Sequence, residues 1–109
     1  MKKYPLGEFE EIVLLTVGVL YNKAYGVAIK DEIQRQLKRK VSVGALQSAL
    51  RRMEKKGFLN SSIGESTSDR GGRPKKYFTI TALGKQALEY NQEVRMKLWK
   101  QIPVAAFEF

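Results

Sequence analysis

Two clusters of cations in this chain have the residue types and spacing to hold a polyanion. The first is Arg51, Arg52, Lys55 and Lys56, which a helix would carry on neighbouring turns. The second is Arg70-Gly71-Gly72-Arg73-Pro74-Lys75-Lys76, a basic glycine segment running into the alternating stretch Tyr77-Phe78-Thr79-Ile80. A DNA duplex carries one negative charge per ~1.7 Å of axis, so cations set against it gain by counterion release. Gln47 and Ser48 lie one helical turn ahead of the first cluster. Gln can pair with adenine, and Arg with guanine or phosphate. Gly44 and Ala45 are small enough to approach a groove wall, and the first residues of a recognition helix are those that reach base edges. Gly71 and Gly72 let the backbone approach phosphate or enter a narrow minor groove, with Arg70 and Arg73 supplying the charge. Taken alone, either cluster is also what a solvated basic face carries, and a basic helix suits a membrane surface as well. Together they imply one rigid body gripping two adjacent grooves.

The elements that would position these residues follow from periodicity. Apolar residues from Phe9 to Leu20 nearly encircle a first helix expected over about Leu6 to Tyr21, which predicts a well-buried element. Glu8, Glu10 and Glu11 fall in its first turn, where they suit the helix dipole. A second helix is expected from Tyr25 or Gly26 to Leu37, with an inner stripe of Val27, Ala28, Ile29, Ile33 and Leu37, followed by a short strand at Val41. A third starts behind Ser42 as N-cap and stops at Gly57, with Leu46, Ala49, Leu50 and Met53 on its inner face. That leaves Gln47, Ser48, Arg51, Arg52 and Lys55 pointing outward. Phe58 to Ile63 and Lys75 to Ile80 read as a hairpin around a loop from Gly64 to Pro74. Thr81 then caps a last helix from Ala82 to Gln101, stopped by Pro103.

On the last helix, Leu83, Ala87, Tyr90, Val94, Leu98 and Ile102 repeat at four- and three-residue spacing, with Trp99 on a neighbouring face. At about 20 residues the helix is ~30 Å long, more than the small core can cover. Its apolar surface therefore predicts a partner, and the same helix of a second copy is the expected one. Residues 1–80 are thus expected to form a DNA-binding domain, and residues 81–109 a dimerisation helix and tail. The expected fold is α+β, mostly helical: a winged helix-turn-helix with a long C-terminal helix.

Composition narrows the function further. The chain has 109 residues, a net charge of +9, no Cys and no His. Residues 35–56 carry eight bases against Glu54 alone, whereas residues 1–34 are slightly acidic. This is the charge distribution of a nucleic-acid surface. Thiolate–imidazole zinc sites and the usual hydrolytic triads are excluded. The acids are scattered, and no Gly-Lys-Ser/Thr follows Gly71-Gly72, so it is not a phosphate loop. No enzyme, cofactor or metal is expected. The start, Met1-Lys2-Lys3-Tyr4-Pro5, has no apolar core of a signal peptide, and no run reaches the ~20 residues that cross a bilayer. A soluble cytoplasmic protein with no membrane partner is expected.

Six stretches, in order, resemble the PadR family of bacterial transcriptional regulators: Leu6-Gly7-Glu8-Phe9-Glu10, Ala24-Tyr25-Gly26-Val27, Ser42-Val43-Gly44-Ala45-Leu46, Arg52-Met53-Glu54-Lys55-Lys56-Gly57, Arg70-Gly71-Gly72-Arg73 and Thr81-Ala82-Leu83-Gly84. The resemblance spans about residues 6–90. It implies a winged-helix domain, a homodimer formed through the C-terminal helix, and repression at a pseudo-palindromic operator on double-stranded DNA. For some members it also implies an effector, a phenolic acid or hydrophobic drug, near the dimer interface. The chain resembles the short class with a single C-terminal helix. Gln47 stands where the family often has Tyr, which puts operator preference in question. DNA-contacting residues are expected at Ser42, Gly44, Gln47, Ser48, Arg51, Arg52, Lys55, Arg70, Gly71, Gly72, Arg73, Lys75 and Lys76. Dimer contacts are expected at Leu83, Ala87, Tyr90, Val94, Leu98, Trp99 and Ile102. Trp99 could stack on a small aromatic or hydrophobic effector or pack the dimer seam. The alternative function is a winged-helix protein-interaction module that binds no specific DNA.

Overall fold

The computed structural model describes residues 4–66 and 74–109. Four helices and one hairpin follow in order: α1 (Glu8–Val19), α2 (Gly26–Leu37), α3 (Val43–Lys55), β1 (Leu59–Ser66), β2 (Pro74–Ile80) and α4 (Ala82–Gln101), with a closing 3-10 turn at Val104–Phe107. This is a winged helix. The hairpin is antiparallel and pairs Leu59 with Ile80 and Ser61 with Phe78. Its register shifts between Ile63 and Ser66, so β1 runs further than its sequence suggests and takes up Gly64 to Ser66, expected as loop. Tyr25 bridges to Tyr77, and the Phe78 N–H donates to the Ala24 carbonyl at 2.8 Å. The segment before α2 thereby ties the sheet to the helices.

The core lies where α1, α2 and α3 meet the root of the hairpin. Val13, Leu14, Ile29, Ile33 and Phe58 are buried in it. On α3, Leu46, Ala49, Leu50 and Met53 are all buried, as three- and four-residue spacing requires of one helical face. Its ends are chemically specified. Ser42 Oγ accepts from the Ala45 N–H at 3.1 Å, and Gly57 takes the left-handed φ of 84° that lets the chain turn into β1. The start of α4 is fastened to that turn, because Thr81 Oγ1 donates to the Gly57 carbonyl at 2.6 Å and accepts from the Gly84 N–H at 3.0 Å.

Four expectations need correction. Val27 and Leu37, expected on the inner stripe of α2, are 55% and 41% exposed, because only Ile29 and Ile33 of that stripe turn fully into the core. Val41 forms no strand; its N–H donates instead to the Gln34 side-chain carbonyl at 2.9 Å. α1 is not buried all round: Leu15 and Val19 are 49% and 66% exposed, while the polar Glu10, Glu11 and Thr16 are buried. Ala87, expected at a dimer face, is fully buried in its own core, because the first turns of α4 pack on the domain. From Gln92 onward every residue of α4 is largely exposed, though Arg95 still pairs with Glu11 of α1 at 2.8 Å, and the last turns project as an arm, giving a molecule 60 Å long and 31 by 22 Å across. Among the described residues no helix is long and apolar enough to cross a membrane.

Candidate nucleic-acid interface

α3 presents its outer face beside the root of the hairpin. Ser42, Gly44, Gln47, Arg51 and Lys55 are exposed, and Ser48 is half-buried. Across from them stand Lys75 and Lys76 of β2. A cleft of about 290 Å³ lies between the two, lined by Tyr25, Gly26 and Lys30 of α2's start, Val43 and Gln47 of α3, and Pro74 to Lys76 of the hairpin. Gln47, Lys75 and Lys76 thus share one surface. Arg70, Gly71, Gly72 and Arg73, expected at the hairpin's tip, lie outside the described residues.

Tyr25 and Tyr77 meet edge to face with centroids 5.7 Å apart, and the Lys75 ammonium stands 4.2 Å above the Tyr25 ring. Ring and cation attract through the quadrupole, which steadies the lysine at the cleft's rim. Lys76 Nζ lies 3.8 Å from Glu54 Oε1, with Glu54 also accepting from Ser61 Oγ. Sequence reasoning did not single out Tyr25, Gly26 or Lys30 as part of this surface. Their signal was Tyr25-Gly26 at the mouth of a helix, which becomes informative only once the fold places that mouth opposite Gln47. A carbon added at Gly26 would stand 3.3 Å from Gln47 Nε2, so the glycine leaves that amide room to project.

The cations of α3 divide into two groups. Arg52 Nε donates to Glu10 Oε2 at 2.7 Å, and Lys56 Nζ donates to Glu10 Oε1 and to the Pro5 carbonyl, both at 2.9 Å. Arg51 and Lys55 form no ion pair among the described residues. Arg52 and Lys56 therefore fasten α3 to the start of α1, while Arg51 and Lys55 face outward. Glu10, expected only to suit a helix dipole, is the hub of this link.

Burial would raise the Glu10 pKa, but hydrogen bonds from Arg52, the Gly7 N–H and Lys56 overcome that and lower it from 4.5 to about 2. A depressed carboxylate adds stability that is fully present above pH 4.5 and fades as pH falls toward 2. Arg52 is half exposed, so solvent screens part of this stabilisation; Glu10→Gln is expected to cost ~1–3 kcal/mol at neutral pH. Thermal melts should show the gap between wild type and variant shrinking from pH 6 to pH 2.5. A gap independent of pH would show that the Glu10 charge does not link the helices.

The transcriptional regulator PadR-like family model matches residues 14–90. No curated protein matches the chain. Among solved structures, a PadR family transcription regulator from hypervirulent Clostridium difficile R20291 is 30% identical with a TM-score of 0.61, over 82% of this chain and 91% of that one. A PadR-like transcription factor from Bacteroides fragilis is 25% identical with a TM-score of 0.70, over 84% of each chain. A transcriptional regulator from Clostridium thermocellum shares the fold at 23% identity and a TM-score of 0.67, over 93% of this chain and 96% of that one.

Proposed function

This chain belongs to the PadR-like family of transcriptional regulators, and on that basis we propose that it is a homodimeric, sequence-specific DNA-binding repressor. The observation that carries the reading is the surface shared by Gln47, Lys75 and Lys76, with Arg51 and Lys55 outward on the same helix. α3 enters the major groove. Gln47, Ser48 and Arg51 reach base edges, and Ser42, Gly44 and Lys55 meet the backbone. Lys75 and Lys76, together with Arg70, Gly71, Gly72 and Arg73 that the sequence expects beside them, serve the adjacent groove. Arg52 acts at one remove, through Glu10, by fixing how α3 sits on the domain. Bound across a promoter, such a dimer keeps the transcription machinery off it.

Surface area supports the dimer. The chain exposes 7983 Å². A compact monomer of its mass would expose ~6,100 Å². The excess is well above the ~800 Å² per partner that a standard interface buries. Exposed Tyr90, Val94, Leu98 and Trp99 on α4 and Ile102 at its C-cap, with Leu83 nearer the core, supply the apolar face. In this reading residues 1–80 bind DNA and residues 81–109 dimerise, although Gly84 and Ala87 root α4 in the core. A cavity of about 460 Å³ between α1 and α4, lined by Leu15, Leu88, Met96 and Trp99 beside the Glu11–Arg95 ion pair, suits a small aromatic or hydrophobic effector.

Arg51→Ala with Lys55→Ala removes four DNA-facing cations per dimer, of which the two Lys55 meet phosphate. The slope of log affinity against log salt is expected to shrink by ~2, with weaker binding at every salt concentration. Fluorescence anisotropy on a mixed-sequence duplex reads both quantities. If neither moves, α3 does not face DNA.

A further inference from the structure

A second unpartnered feature lies away from the DNA face. α1 and the C-terminal half of α2 form a groove of about 280 Å³ lined by Ile12, Leu15, Val19, Ile33, Gln36 and Leu37. Leu15, Val19 and Leu37 are 49%, 66% and 41% exposed, so nothing among the described residues covers it. Its lining is mostly apolar, which suits side chains. At the far end of the arm stands an equally bare cluster. Past Pro103 the 3-10 turn folds Phe107 back on Trp99 with centroids 5.9 Å apart, and Phe109 follows at 6.3 Å from Phe107. Phe107 is half exposed and Phe109 wholly so.

We propose that Phe107 and Phe109 of one protomer seat in the groove between α1 and α2 of a second copy, each tail closing over its partner's domain. The proposal rests on the dimer proposed above and names what the tail does within it. Two observations select a second copy as the occupant. The surface excess exceeds what one patch along α4 needs. Leu15 lines both this groove and the α1–α4 cavity, so the apolar strip is continuous from one helix pair to the next. Two-fold symmetry repeats the contact, so each dimer holds two tails and two occupied grooves.

The absence of cysteine makes introduced thiols unique. The test is the Leu37→Cys, Phe107→Cys double variant, oxidised with copper phenanthroline at low micromolar concentration, beside each single variant. Circular dichroism checks folding, and both positions are exposed. The expected result is a covalent dimer that forms far more completely than in either single variant, with a disulfide-linked peptide pair joining positions 37 and 107 found by mass spectrometry. A chain ending at Pro103 should dimerise about tenfold more weakly or worse, since burying one aromatic side chain contributes that much. A wild type that sediments as a dimer, with no excess cross-link and no loss on truncation, overturns the tail contact and leaves the dimer standing. A monomeric wild type overturns both.

Discussion

Val94→Asp combined with Leu98→Asp is expected to turn the protein into a monomer at micromolar concentration and to weaken operator binding by more than ~100-fold. Both side chains lie on the exposed arm, one turn apart, 39% and 62% accessible in the single chain. Nothing in the monomer requires them, so the variant should fold and melt as a single domain. In the dimer each would place a carboxylate in an apolar seam, which costs several kcal/mol per interface unless it finds a partner. At ~1.4 kcal/mol per factor of ten, two such sites repeated by symmetry abolish association. DNA affinity follows because a monomer holds only one half-site. Sedimentation velocity measures the first effect and anisotropy the second. A double variant that still dimerises, or a wild type that is monomeric, would remove α4 from the interface.

Gly84→Ala is expected to produce the largest change in stability, and against the ordinary trend for helices. In an exposed helix, Gly to Ala gains ~1 kcal/mol. Here the added carbon would stand 2.3 Å from the Phe58 carbonyl oxygen and 3.0 Å from Ile80 Cγ2. The oxygen cannot retreat easily, because it accepts the Thr81 N–H that holds the start of α4 to the hairpin. Overpacking of this kind costs ~3 kcal/mol, enough to lower the melting temperature by about 10 °C in a domain of this size. Gly44→Ala is the control. It too lies in a helix, but the added carbon meets only Ser42 Oγ at 3.7 Å. Its melting temperature should hold or rise. If Gly84→Ala melts no lower than wild type, α4 does not pack on the hairpin as described.

What could be read from the sequence was what local chemistry dictates. Ser42, Gly57 and Thr81 mark helix ends through side-chain caps and a left-handed turn, and those ends are where the structure has them. Leu46, Ala49, Leu50 and Met53 are spaced for one face, and one face is what they bury. What escaped depends on neighbours distant in sequence. Glu10 reads as a dipole residue until Arg52, 42 positions away, is brought beside it. The Tyr25–Tyr77 contact exists only because β2 returns past the start of α2. Hydrophobicity alone could not tell that Leu15 and Val19 face outward while Glu10 and Glu11 are buried, since α1 is apolar on nearly every side. Ala87 misled in the same way, its spacing fitting either the core or a partner.

If α3's outer face and the adjoining hairpin read a DNA sequence twice, once per protomer, the operator must carry that symmetry. Selection from a random duplex library, run in parallel with wild type and Gln47→Ala, would reveal it. An inverted repeat should be enriched, with half-sites centred about 10 base pairs, or a multiple, apart. Gln47→Ala should relax the same position in both halves while the rest of the motif persists. Recovery of no recurring motif by the wild-type dimer would refute sequence reading by this face and favour a winged helix that docks on an acidic protein instead.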